Sequence, residues 1–351
     1  MITISLCMIV KNEEDVIGRC LNCVKDLVDE IIIVDTGSSD HTKQIVSEYT
    51  KNIYDFKWVD DFSKARNYSF SKAKCDYILW LDADDILDKK YQKKLKELKK
   101  DLNKDIDIVM MKYQVGDMIF YRERLLKREN NYLWVNPVHE VIVPTGIIVY
   151  SDVTIKHQKE AKKISTRNLD IYEKYINNGN DLDARGMFYY GRELYEHGFY
   201  QKAISIFKEF LKRDDAWIEN QIEACLNICL CLRCIDQYEQ GLKYLFQSFV
   251  YDIPRSEIIC EIAYHYLINK DYQKAIYWYE LALKNKQDIK KGGFVRKDCY
   301  DFIPYIQLCV CFDKIGNYTK AFEYNELAGK IKPTHPSYLH NQRYLKEAIT
   351  K

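Results

Sequence analysis

Tyr77-Ile78-Leu79-Trp80-Leu81-Asp82-Ala83-Asp84-Asp85 is an apolar run that stops at three carboxylates within four residues. The apolar part reads as a buried strand. Burying a carboxylate without a partner is strongly unfavourable, so Asp82, Asp84 and Asp85 belong at an open strand end facing something cationic. A divalent metal with hard oxygen ligands, Mn²⁺ or Mg²⁺, carrying phosphates suits them. Taken alone, the same residues would also serve as an acidic helix start, because a Lys-rich helical stretch follows and carboxylates suit helix N-termini. The neighbouring sequence decides between the two.

Upstream, Ile2 to Val10 is nearly all apolar, as a strand buried on both faces of a parallel sheet should be. Val16 to Val28 places Val16, Ile17, Cys20, Leu21, Val24 and Leu27 at helical spacing. Glu30 to Val34 is a short β-branched run ending at Asp35-Thr36-Gly37-Ser38-Ser39-Asp40, where Gly37 can take a positive φ and Ser38, Ser39 or Asp40 can cap a helix starting near His41. A strand near Ile53 to Val59 and a helix from Ser63 to Ala73 complete the third unit. Strands alternating with helices imply a parallel sheet with right-handed crossovers. Ligands of such sheets bind outside the carboxyl ends of the strands. Asp35 and the Asp82 to Asp85 cluster therefore share one rim. Gly-rich phosphate loops are absent from the sequence, so an anionic nucleotide would be held by metal and by cations such as Arg66, whose other reading is a surface salt bridge.

At 351 residues the chain is long enough for two domains. Its 53 Lys and Arg balance 52 Asp and Glu, which gives no general case for nucleic acid or an anionic membrane as partner. No apolar run approaches the length that spans a bilayer, and the first one is broken by Lys11-Asn12-Glu13-Glu14, unlike a signal peptide. The twelve cysteines are then expected as reduced thiols in a cytoplasmic protein. Cys20 and Cys23, like Cys231 and Cys234, sit in helical patterns rather than on the tight turns that zinc prefers, and read as small buried apolar residues.

Ser5-Leu6-Cys7-Met8-Ile9-Val10-Lys11-Asn12-Glu13-Glu14, Val34-Asp35-Thr36-Gly37-Ser38-Ser39-Asp40, Phe62-Ser63-Lys64-Ala65-Arg66-Asn67 and Leu81-Asp82-Ala83-Asp84-Asp85 together resemble the ordered motifs of family 2 glycosyltransferases. The resemblance covers roughly the first 160 residues. It implies an α/β GT-A fold, a nucleotide-diphospho-sugar transferase domain that binds a nucleoside-diphosphate sugar and a divalent metal. It also implies roles: Asp35 at the base or ribose, Asp82 on the ribose side, Asp84 on the metal bridging the diphosphate, and Arg66 near the nucleotide, with Asp85 counted among the nucleotide-binding residues. UDP is the commoner donor nucleotide for this fold.

Further strands are expected over Ile106 to Val115, Met118 to Arg128 and Leu133 to Val149, and a solvated surface helix over Lys89 to Lys104. Trp134-Val135-Asn136-Pro137-Val138-His139-Glu140 is similar to the His-Glu element that follows the acidic strand in soluble relatives. Transfer with inversion needs a base within hydrogen-bond reach of the acceptor's proton; Glu140 is the first choice and His139 the second. His157 stands where this fold often supplies an imidazole to the metal or diphosphate, and imidazole suits Mn²⁺ better than Mg²⁺. The Gln-x-x-Arg-Trp pattern of membrane-embedded processive members is missing, and Gln342-Arg343-Tyr344 does not replace it.

From Ile164 the pattern changes to long helices. Gly198-Phe199-Tyr200-Gln201-Lys202-Ala203, Asp236-Gln237-Tyr238-Glu239-Gln240-Gly241, Lys270-Asp271-Tyr272-Gln273-Lys274-Ala275 and Gly316-Asn317-Tyr318-Thr319-Lys320-Ala321 share a signature, with tyrosines 38, 34 and 46 residues apart. This resembles tetratricopeptide repeats, whose period is about 34 residues. The longer spacing reads as an insertion around Asn285 to Asp298, and a last helix is expected from Ser337. Stacked helix pairs expose an extended concave face suited to a peptide or protein, although dimerisation or support of the catalytic domain would also explain them.

The expected architecture is a GT-A glycosyltransferase domain over residues 1–163 followed by an all-α tetratricopeptide-like domain over 164–351. The expected function is metal-dependent, inverting glycosyl transfer from a nucleoside-diphosphate sugar. The architecture also resembles bacterial enzymes that glycosylate peptides, including those that place sugar on cysteine of a bacteriocin precursor, which favours a polypeptide acceptor over a glycan. The rivals are a repeat scaffold with a vestigial catalytic domain and a nucleotidyltransferase on a related fold.

Overall fold

The structure is a computed structural model that describes residues 1–350 except 117, 159–164, 287, 289–290 and 294. The chain divides into two compact units, Met1–Asp181 and Leu182–Lys351. The expected domain boundary at 163/164 falls among residues outside the described ones.

The first unit is an α/β domain built on a mixed sheet. Strands β1 (Ile4–Val10), β2 (Glu30–Asp35), β3 (Ile53–Asp55) and β4 (Tyr77–Trp80) run parallel. They are linked by helices α1 (Ile17–Val24), α2 (Thr42–Ser47) and α3 (Phe62–Phe70). After β5 (Asp85–Ile86) and α4 (Lys89–Asp101) come β6 (Ile108–Val115), β7 (Met118–Lys127), a small hairpin of β8 (Trp134–Val135) and β9 (Val141–Ile142), and β10 (Ile148–His157). The eight-stranded order is β3-β2-β1-β4-β7-β6-β10-β5. The parallel arrangement implied by strand-helix alternation holds for β1 to β4, whereas the later β7 and β5 run antiparallel to their neighbours. The reason is local: only Gly116 and its neighbour separate β6 from β7, too short a link for a crossover, and Gly116 turns the chain at φ 57°.

Ile4, Leu6, Met8 and Ile33 pack with Ile17, Leu21 and Val24 of α1 on one face of the sheet. Cys7, Ile32, Ile78 and Trp80 pack with Phe70 and Trp134 on the other. Between residues 133 and 147 the expected long strand is a loop carrying only the short hairpin, and the strand proper starts at Ile148. Pro137, Pro144 and Gly146 break the pattern there. Helix α4 buries Leu95 and exposes most of its lysines, as its composition implies. Helix α5 (Arg167–Asn177) packs within the first unit, although the helical sequence pattern begins ahead of it.

The second unit is a tetratricopeptide-like array of antiparallel helix pairs. These are α6 (Ala184–Glu196) with α7 (Tyr200–Phe210), α8 (Ile218–Cys234) with α9 (Tyr238–Gln247), α10 (Ser256–Ile268) with α11 (Tyr272–Ala282), and α12 (Phe302–Lys314) with α13 (Tyr318–Ile331). A last helix, α14, covers Pro336–Thr350. Each signature tyrosine, Tyr200, Tyr238, Tyr272 and Tyr318, opens the second helix of its pair. The small residue three positions on is buried in every case. At Gly241 a Cβ would sit 2.8 Å from Cys229 Sγ of the partner helix, which is why nothing larger is present. Cys225, Cys229, Cys231, Cys309 and Cys311 fill helix interfaces, and burial pushes their thiols up to about 12. Within the expected insertion at 285–298, residues 287, 289–290 and 294 lie outside the described ones. Among the described residues no helix is long and apolar enough to cross a membrane.

Candidate functional site

The carboxyl ends of β1, β2, β4 and β10 form one rim, and the sequence-expected residues gather on it. Asp35 ends β2 beside Val10 of β1. Its Oδ1 accepts from the backbone N–H groups of Gly37 and Ser38 at 2.9 and 2.8 Å, while Oδ2 is buried with no hydrogen-bond partner. Gly37 supplies the φ of 105° that this tight loop requires. The Lys11-Asn12-Glu13-Glu14 motif holds the loop from the other side. Asn12 N–H donates to Ser38 Oγ, Ser39 N–H to Asn12 Oδ1, Glu13 N–H to Thr42 Oγ1, and His41 N–H to Glu14 Oε2, all at 2.7–3.0 Å. Two motifs distant in sequence are thus one structure, which presents an unsatisfied carboxylate oxygen.

Helix α3 carries the central residue. Asp61 caps it by accepting from Lys64 N–H, and Arg66, one turn in, projects between two carboxylates. Its Nε donates to Glu140 Oε1 at 2.6 Å and its Nη2 to Asp82 Oδ1 at 2.7 Å. The guanidinium also lies over the rings of Trp80 and Trp134, 5.2 and 4.8 Å from their centroids. Arg66 and Glu140 side chains are each only 11% exposed, so Arg66 is no surface salt bridge. Burial alone would lower Arg66's pKa; Asp82 and Glu140 outweigh it and raise it. Burial would likewise raise the Asp82 carboxyl, but Arg66 and Arg124 hold it well below the ordinary carboxylate range.

Glu140 sits in a turn between β8 and β9 that contains two left-handed non-glycine residues, Asn136 at φ 75° and His139 at φ 51°. Such backbone persists only where its surroundings fix it. Here Asn67 of α3 donates to the Trp134 carbonyl and accepts from the Trp134 N–H at 2.9 and 2.8 Å. Phe62 N–H donates to the Pro137 carbonyl at 2.9 Å, and the Tyr172 hydroxyl of α5 to that of Val138 at 3.4 Å. His139 is half-buried, and the Glu140 side chain is mostly buried.

Asp84 and His157 meet because β10 pairs antiparallel with β5, which places His157 opposite Asp85. His157 Nδ1 is 3.2 Å from Asp84 Oδ1 and 3.3 Å from Asp85 Oδ1. Burial opposes the charged imidazole, yet these two carboxylates push its pKa up to about 10. Among the described residues, ligand atoms of Asp82, Asp85 and His157 lie within 4.8 Å of one another. Asp85 differs from its neighbours: it is fully buried beneath the rim. Hard carboxylate oxygens with one imidazole are a donor set that fits Mn²⁺, and the carboxylates of Asp84 and Asp85 crowded against His157 are negative charge that a cation would offset.

Several residues of this arrangement are not picked out by sequence reasoning. Asn67 is visible only as the last position of a motif. Tyr113 and Arg124 lie in segments expected only as strands, with no role assigned to either residue. Trp134 is visible only as the first position of the His-Glu element.

A model of glycosyl transferase family 2 matches residues 5–195, more than half the chain. A TPR repeat-containing protein of Synechococcus elongatus is 37% identical over 147 residues, 40% of this chain and 36% of that protein. The SPbeta prophage-derived glycosyltransferase SunS of Bacillus subtilis is 27% identical over 262 residues, 69% of this chain and 62% of its own. This chain therefore spans less than two thirds of either relative. The crystal structure of S. aureus TarS 1-349 aligns with a TM-score of 0.41 at 14% identity, covering 70% of this chain and 91% of that one. With four motifs folded into one rim and the family model spanning them, the chain belongs to glycosyl transferase family 2.

Proposed function

We propose that this chain is a metal-dependent inverting glycosyltransferase that moves a sugar from a nucleoside diphosphate, with UDP the favoured nucleotide, to a peptide or protein side chain. The observation that carries it is the Arg66 bridge, in which one guanidinium ties the donor-side Asp82 to the acceptor-side Glu140. Asp35 offers its unpartnered Oδ2 to a donor group of the base or ribose, and Asp82 takes the ribose side. Asp84 and His157 would hold Mn²⁺ or Mg²⁺. When bound, the cation offsets charge on the leaving diphosphate. Glu140 accepts the acceptor's proton as the nucleophile attacks the anomeric carbon from the face opposite the leaving group. His139 is the second choice for that proton, and its left-handed backbone aims the Glu140 segment.

The polypeptide acceptor rests on the repeat unit, since stacked helix pairs expose an extended surface of the kind that takes a protein segment. Calorimetry with UDP, with and without Mn²⁺, tests the donor half, and is expected to give binding that needs the metal and is lost in Asp84→Ala. No binding of any nucleoside diphosphate under either condition would favour a repeat scaffold with a vestigial catalytic domain. Turnover with glycans but not with peptides would move the acceptor to carbohydrate.

A further inference from the structure

Beneath the carboxylate rim lies an ion pair that the chemistry above does not use. Arg124 on β7 and Asp85 at the start of β5 both have side chains 0% exposed. Arg124 Nη1 donates to Asp85 Oδ2 and to the Trp80 carbonyl, each at 3.1 Å. Its guanidinium lies 3.6 Å from the Trp80 ring centroid and 4.2 Å from that of Tyr113, and its Nε and Nη2 find no oxygen or nitrogen partner. Aromatic faces stand where acceptors would. Taking two charges out of water costs more than their attraction returns in many proteins, and apolar replacements of such pairs are often neutral or stabilising. Stability alone therefore does not account for this pair.

What Asp85 touches does. Its Oδ2 also accepts from the Asp82 backbone N–H at 3.0 Å, which fixes the turn that aims Asp82 and Asp84. Its Oδ1 accepts from the Tyr113 hydroxyl at 2.9 Å and lies 3.3 Å from His157 Nδ1, while the Tyr113 hydroxyl is 2.9 Å from that same nitrogen. Both oxygens are thus occupied from within the fold. We propose that Arg124 and Asp85 are positioning residues. Together they hold the Asp82 turn and the His157 ring in the arrangement that takes a divalent cation, and Asp85 is not itself a ligand or a nucleotide contact. This rests on reading the rim as a cation site.

The test uses the full chain and Mn²⁺ alone, with free Mn²⁺ followed by electron paramagnetic resonance and thermal unfolding measured on the same samples. Arg124→Met leaves Asp85 uncompensated, and its first unit should melt roughly 10 °C earlier. The charge-free double variant Arg124→Met with Asp85→Leu should recover most of that loss. Both should still bind Mn²⁺ on the order of 10- to 100-fold more weakly than wild type, as residues behind a metal site do when lost. A double variant with recovered melting and wild-type Mn²⁺ affinity would overturn the proposal. If neither variant folds, Asp85→Asn, which keeps the shape, decides: weakened Mn²⁺ uptake is expected, and undiminished uptake overturns it. Wild-type protein that takes up no Mn²⁺ would instead remove the cation-site reading, a result distinct from variants that match a binding wild type.

Discussion

Replacing Arg66 by Met keeps the length and the apolar contact with Trp80 and Trp134 and removes only the charge and its hydrogen bonds. Asp82 and Glu140 would then face each other without the cation that joins them at 2.7 and 2.6 Å. Breaking a buried pair by deleting one partner costs about 3–5 kcal/mol. The Asp82 side chain is 31% exposed, so its share is screened by water, whereas Glu140 at 11% is not. The lower end, about 3 kcal/mol, is therefore expected. For a unit of this size that lowers the melting midpoint by roughly 6–12 °C, measurable by scanning calorimetry. Turnover should fall at least about 100-fold, because the base and the donor-side carboxylate lose their common anchor. Arg66→Lys restores the charge but not the two-armed grip, and should recover melting more than turnover. Melting within about 2 °C of wild type together with turnover within roughly threefold in Arg66→Met would refute the reasoning.

Asn67→Ala removes both hydrogen bonds to the Trp134 backbone; a loss of about 2 kcal/mol is expected in denaturant unfolding, with turnover falling further than donor affinity because the loop carries Glu140. In the repeat unit, Lys291, the Ile253 backbone N–H and Arg255 hold the Asp252 carboxyl well below the ordinary carboxylate range. A carboxylate depressed in the folded state adds stability above its unfolded value, near pH 4, and loses it as the pH falls toward the folded one. Asp252→Asn should therefore melt below wild type at pH 7, with the difference closing in acid; a gap that is constant from pH 7 to about pH 3 would contradict this.

Much of this was legible because the physics was local. Ile4 to Val10, apart from Ser5, and Tyr77 to Trp80 are apolar runs with no face to expose, so their place in the sheet centre follows from composition. Asp35 and Asp82 follow strands at their carboxyl ends, and the rule for parallel sheets puts them together. The tyrosine and small-residue signature located the second helix of every pair, since close approach of two helices allows little else. The reading failed where partners come from tertiary context. Nothing in Met118 to Lys127 says that it pairs antiparallel between two parallel strands. Arg122-Glu123-Arg124 looks like a wet stretch, although Arg124 is fully buried. Its signal was faint but present: a cation next to Leu125 and Leu126, both buried, needs a buried anion, and Asp85, expected among the nucleotide-binding residues, is the one that meets it. The pattern change near Ile164 marks where helices begin, but Tyr172 of α5 is buried within the first unit, where it bonds to Val138.

The central claim is that the rim binds and activates a sugar nucleotide. Its most direct test is slow hydrolysis of a panel of nucleotide sugars, with and without Mn²⁺, by wild type, Asp84→Ala and Glu140→Gln. Many transferases leak sugar to water, so no acceptor is needed. Metal-dependent release from one donor, abolished in Asp84→Ala and reduced at least about 100-fold in Glu140→Gln, is the expected result. Release that ignores Mn²⁺ and survives Asp84→Ala would contradict the account.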